Sequence, residues 1–98
     1  MKLLTLEDFA GCLNSTFTAA IADGNIDFVL VEARPLPLPP PKYEAMRAPF
    51  SLLFRNGAAL LFPQQTYSMR HSSMGEFAIF LVPIARERDG FLYQAVFN

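Results

Sequence analysis

From Ser15 onward the apolar residues recur at every second position, the period of strands that bury one face. In the stretch STFTAAIA (15–22), Phe17, Ala19 and Ile21 point one way and Thr16 and Thr18 the other. Asp23-Gly24-Asn25 is a turn signal, because Gly and Asn tolerate positive φ. The run IDFVLVEAR (26–34) then places Ile26, Phe28 and Leu30 on one face, which predicts a hairpin. Strands are also predicted at 48–55 (Phe50, Leu52 and Phe54 inward), 66–71 (Tyr67, Met69 and His71 together), 76–84 and 91–97. The stretch EFAIFLVPI is apolar on both faces, so it needs a cover on its second side.

Ahead of the strands the period changes. Leu6, Phe9, Ala10 and Leu13 follow a helical stripe, with Thr5 as a cap and Asp8 three residues later, which predicts a helix over 5–13. That helix is the expected cover for the doubly apolar strand. One helix and six strands with short connections predict a mainly β fold: a small, incomplete antiparallel β-barrel with the helix at one end or on an open side. A two-sheet sandwich is the alternative. The whole chain, 1–98, is expected to be one domain.

The two regions rich in proline and glycine read differently. NGAALLFPQQ (56–65) suits a turn and an irregular connection. RPLPLPPPKYEAM (34–46) holds two docking-type patterns, R-x-x-P-x-x-P at Arg34, Pro37 and Pro40 and PPxY ending at Tyr43. In polyproline II the seven residues from Pro35 to Pro41 would reach roughly 22 Å at about 3.1 Å each. A stiff connection across the barrel is therefore the expected role of 35–46. Leu36, Leu38, Pro40 and Tyr43 are its candidate partner contacts.

Charge narrows the function classes. Eight basic and nine acidic residues give a net charge of −1, and the basic ones are scattered, which argues against nucleic acid. A single cysteine, Cys12, excludes an internal disulfide and a multi-cysteine zinc site. Glu7 and Asp8 interrupt the leucine-rich start, and no apolar run is long enough to span a bilayer, so a soluble cytoplasmic chain with no membrane partner is expected.

Candidate chemistry is thin. His71 is the one histidine, and Cys12 and the serines between Ser68 and Ser73 are the nucleophile types to weigh beside it. A core cysteine and a turn histidine are the expected reading. The carboxylates Glu7, Asp8, Asp23, Asp27 and Glu32 are spread over different elements and faces. No enzyme, cofactor or metal site is expected. Tyr67, Met69 and His71 are the candidates for lining a ligand cavity, against core packing as the plainer role.

The second half carries a resemblance. APFSLLFRN, followed by LFPQQTYSMRH, FLVP, DG and YQAVFN, is similar to a family of small bacterial proteins built around a domain of unknown function. Its members follow a pattern R-x-PFSLLFRG…LPQ-x-TY…H…LG…FLVP…DG…YEAVFN. The likeness runs from about Arg47 to Asn98 and, more loosely, over LTLEDF; Asn56, Met74 and Gln94 depart from the pattern. It implies a chain encoded near phage-tail-collar-like or tail-fibre-like proteins and supplies no active site. The expected function is a non-enzymatic structural or protein-interaction module, self-associating through edge strands or meeting a protein partner. A small-ligand-binding barrel is the alternative.

Overall fold

The computed structural model describes residues 3–37 and 48–98. Its elements are α1 (Leu6–Ala10), β1 (Thr16–Ile21), β2 (Gly24–Pro35), β3 (Phe50–Asn56), β4 (Gln65–His71), β5 (Gly75–Glu87) and β6 (Gly90–Phe97). All strand pairs are antiparallel, and the six strands close into a barrel in the order β1-β2-β3-β6-β5-β4. The barrel is complete where an incomplete one was expected. The closing seam is short, carried by Thr18 opposite Arg70 and Ala19 opposite Met69. Closure gives every strand two neighbours, so among the described residues no whole strand edge is left for pairing between copies.

Alternation builds the interior. Phe17, Ala19, Phe28, Leu30, Phe50, Leu52, Phe54, Tyr67, Met69, Ile79, Leu81, Tyr93 and Ala95 are buried and form one cluster with Phe9 of α1. Two bulges keep long strands in phase with the curved wall. Val31 is the extra residue between the rungs Leu30–Phe54 and Glu32–Leu53, and Ile84 the extra one between Pro83–Tyr93 and Ala85–Leu92. Pro83 sits beside its bulge, where a missing N–H disturbs the ladder least.

The helix is shorter than its stripe implies. Thr5 N–H donates to the Asp8 carboxylate over 2.9 Å, completing the backward half of the cap. The helix ends at Ala10; Gly11 follows, and Asn14 adopts φ 66° to turn the chain into β1. Leu13 is therefore exposed instead of continuing the apolar stripe. Phe9 enters the barrel end, with its ring 5.7–6.2 Å from those of Phe17, Phe50, Phe77 and Phe97. α1 thus stoppers one pole and does not cover the outer face of β5, where Phe80 and Ile84 remain exposed.

The opposite pole is closed by the β3–β4 connection. In the cyclic order β3 and β4 stand diametrically across the barrel, so residues 57–64 form a strap over its mouth. Phe62 turns inward onto Phe28, ring centroids 6.5 Å apart. Of the connection 35–46, expected to cross the barrel, all but Pro35, Leu36 and Pro37 lies outside the described residues. The β2–β3 ladder continues past Pro35–Phe50 to a hydrogen bond from Leu36 N–H to Pro49 O, 3.0 Å long. The two ends of the proline-bearing stretch therefore meet on one rung.

Candidate functional site

His71 ends β4 at the α1 pole, where a chain of hydrogen bonds fixes its state. Ser73 N–H donates to His71 Nδ1 over 3.1 Å. A backbone N–H cannot accept, so Nδ1 carries no proton, and the neutral ring holds its hydrogen on Nε2. Nε2 lies 2.9 Å from Ser15 Oγ, and Ser15 in turn donates to Cys12 O. The polarity runs from the turn through the ring and hydroxyl to the end of α1. It is the reverse of a nucleophile–base pair, in which the hydroxyl gives its proton to Nε2. The imidazole also stacks on Phe17, centroids 4.3 Å apart, which packs it against the barrel rim.

Cys12 does not pair with His71. Its thiol is half-buried and directed at Asp8 O, 3.6 Å away. Asp8 is itself engaged with Thr5. Between α1 and the β4–β5 turn lies a cleft of about 330 Å³, lined by Leu4, Asp8, Cys12, Ser73 and Met74. Among the described residues no group of three or more His, Cys, Asp or Glu side chains is placed to hold a metal ion.

The other two cavity candidates lie inside the barrel. Tyr67 and Met69 are 1% and 0% exposed, within the packed cluster. Tyr67 is within aromatic contact of Phe28, and Tyr93 reaches the same ring edge-on at 5.2 Å. Both phenols anchor the strap: Tyr67 OH donates to Pro63 O, and Phe62 N–H donates to the Tyr93 oxygen over 2.9 Å. Burial raises the pKa of both tyrosines; Tyr93 adds to the rise at Tyr67, while the Gln65 side chain and the Phe62 N–H each offset part of it. These groups hold structure.

Of the proline-region residues, Leu36 is half-buried on the last β2–β3 rung, whereas Leu38, Pro40 and Tyr43 lie outside the described residues. Arg34 and Pro35 are rungs of the ladder opposite Ser51 and Phe50. Arg34 is also ion-paired with Glu32. Arg34 and Pro35, which open the R-x-x-P-x-x-P pattern, are thus β structure, not the polyproline II helix that an SH3-type groove reads. The PPxY pattern falls outside the described residues.

Several working residues escape a reading by period and motif. Ser15 looks like a strand start, and its role depends on His71, distant in the chain. Asn56 is buried, donating to Asp27 O and accepting Ala58 N–H, which shapes the start of the strap. The available signal for it was Asn before Gly at a turn. No curated protein and no solved structure matches the chain. One family model matches almost all of it, residues 4–97, and the chain accordingly belongs to the family described as a domain of unknown function (DUF6916).

Proposed function

We propose that the chain is a non-enzymatic interaction module, with the proline-bearing stretch 37–48 as its principal contact segment and a phage-tail-like assembly as its setting. The observation that carries this reading is the Leu36–Pro49 rung. Strands whose ends meet at hydrogen-bond distance need only a two-residue turn between them. Residues 37–48 are therefore surplus to the connection, and they hold four of the chain's eight prolines together with Leu38, Lys42 and Tyr43. A proline-rich segment loses little backbone entropy on being held by a partner. The packed interior and the reversed polarity at His71 support binding over chemistry. The resemblance to chains encoded beside tail-collar-like proteins supports the assembly setting.

The test replaces 37–48 by Asn-Gly and compares crosslinked partners by mass spectrometry in the native host. The shortened chain should keep its melting transition and lose its protein crosslinks. Retention of every crosslink by the folded variant would remove the proposal.

A further inference from the structure

The barrel repeats itself. β1, β2 and β3 form one up-and-down meander and β4, β5 and β6 a second, and the two join through β1–β4 and β3–β6. Strand by strand the lengths correspond: 6, 12 and 7 residues in the first, 7, 13 and 8 in the second. Aligning Thr16 with Thr66, Gly24 with Gly75 and Phe50 with Phe91 makes the ladders coincide. The rungs Thr16–Val29 and Ala19–Ile26 fall on Thr66–Phe80 and Met69–Phe77. Arg34–Ser51 and Pro35–Phe50 fall on Ala85–Leu92 and Arg86–Phe91. Residue types follow in part: Phe17 and Thr18 match Tyr67 and Ser68, and Leu30-Val31 matches Leu81-Val82. Each middle strand also carries one bulge against its third strand, at Val31 and at Ile84, two places apart in this alignment.

The match obeys a two-fold axis that crosses the barrel from one wall to the other. A residue on such an axis meets its own counterpart. Ala19 pairs with Met69 at the β1–β4 seam, and Leu53 pairs with Gln94 at the β3–β6 joint; each pair is a residue and its equivalent. The same rotation exchanges the poles. Each pole is closed by a phenylalanine from the segment ahead of a half's first strand, Phe9 before β1 and Phe62 before β4. The halves differ most at one connection. The last rung of the second half, Glu87–Gly90, is closed by Arg88 and Asp89 alone. Its counterpart in the first half is the Leu36–Pro49 rung, and there the twelve residues 37–48 lie between. We infer that the chain is a duplicated half-barrel, one closing segment and one three-stranded meander used twice, with 37–48 inserted into the first copy only. The inference goes beyond the interaction reading and does not depend on it. Joined to that reading, it gives each chain one contact segment, not a symmetric pair.

Exchange on the axis tests the duplication in the full chain. Met69→Ala opens a cavity and Ala19→Met overfills a buried site, so each should lower the urea midpoint. The Ala19→Met/Met69→Ala double variant amounts to turning the pair about the axis, and it should regain over half of the larger single loss. Leu52→Ala/Ala95→Leu is the control, a buried rung whose two residues are not equivalents, and it should regain little of what its single variants lose. A double variant no better than its worse single, or a control that recovers as well, overturns the duplication. The insertion is tested by putting Arg-Asp-Gly, the second half's own connection, in place of 37–49. That variant should keep a cooperative melting transition close to that of the wild type and slow amide exchange at Leu36. Its failure to fold, or fast exchange at Leu36, overturns the insertion. Crosslinks that all persist in the folded variant remove the interaction reading and leave the duplication standing.

Discussion

Phe62 and Tyr93 are joined by a hydrogen bond from the Phe62 N–H to the Tyr93 hydroxyl oxygen, 2.9 Å long, which ties the middle of the strap to the barrel wall. Tyr93→Phe keeps the ring and removes the acceptor. A partly buried N–H left without its partner costs about 1–3 kcal/mol. Urea denaturation should show that loss, and amide exchange should speed up at Phe62 before it does in the strands. Equal acceleration throughout the barrel would show that the strap is not locally held.

Tyr67 and Tyr93 both have raised pKa values, principally because burial disfavours the phenolate. The folded state therefore keeps protons that the unfolded chain has begun to release. Stability is fully present below the ordinary tyrosine pKa of about 10 and falls as pH rises from there through the folded-state values. Denaturation midpoints followed from neutral pH upward should drop in this alkaline window. The Tyr67→Phe/Tyr93→Phe double variant should start lower and lose most of the slope; an unchanged slope would assign it to other groups.

Much of the barrel is legible in the sequence because its interior is filled. Residues such as Phe50, Leu52 and Phe54 must all point inward, so a period of two survives along nearly every strand. What depends on distant pairing is not legible. Asn56-Gly57 and Pro63 announce a turn and a break, but nothing local says that β4 lies across the barrel from β3. Leu13 continues the helical stripe on paper, whereas Asn14 at positive φ has already turned the chain away. The same holds for the candidate site. His71 stands out by residue type, but its role follows from Ser15 and Ser73, and the direction of those bonds exists only in the fold.

Gly90 opens β6 at φ 136°, and a Cβ placed there would lie 2.0 Å from the backbone oxygen of Asn56. Gly90→Ala therefore combines a strained dihedral with a backbone clash, each about 1–3 kcal/mol. A loss of roughly 3 kcal/mol or more is expected in chemical denaturation. Gly75, at φ 73° with no atom near its absent Cβ, provides the comparison. Gly75→Ala should cost less, since only the dihedral is strained. Equal losses would mean that the approach of β6 to Asn56 relaxes freely.

Phe9 is fully buried, although it belongs to a five-residue helix that could not persist alone. Its aromatic neighbours come from β1, β3, β5 and β6, so the helix is held by the barrel end and in turn closes it. Phe9→Ala should cost about 3–5 kcal/mol. Phe9→Leu should restore over half of that loss. A truncation that costs under 1 kcal/mol would show that the barrel end closes without the helix.

The polarity at His71 can be read directly. Because Ser73 N–H occupies Nδ1, the neutral imidazole must be the Nε2–H tautomer, donating to Ser15 Oγ. Nitrogen NMR shifts of the ring at alkaline pH should place Nδ1 in the unprotonated range and Nε2 in the protonated range. Ser15→Ala removes the acceptor of Nε2–H and the donor to Cys12 O together, and it should cost about 1 kcal/mol while leaving the tautomer unchanged. A ring protonated on Nδ1 would reverse the chain, leave Nε2 free to take the Ser15 proton, and return Ser15 and His71 to consideration as a nucleophile and its base.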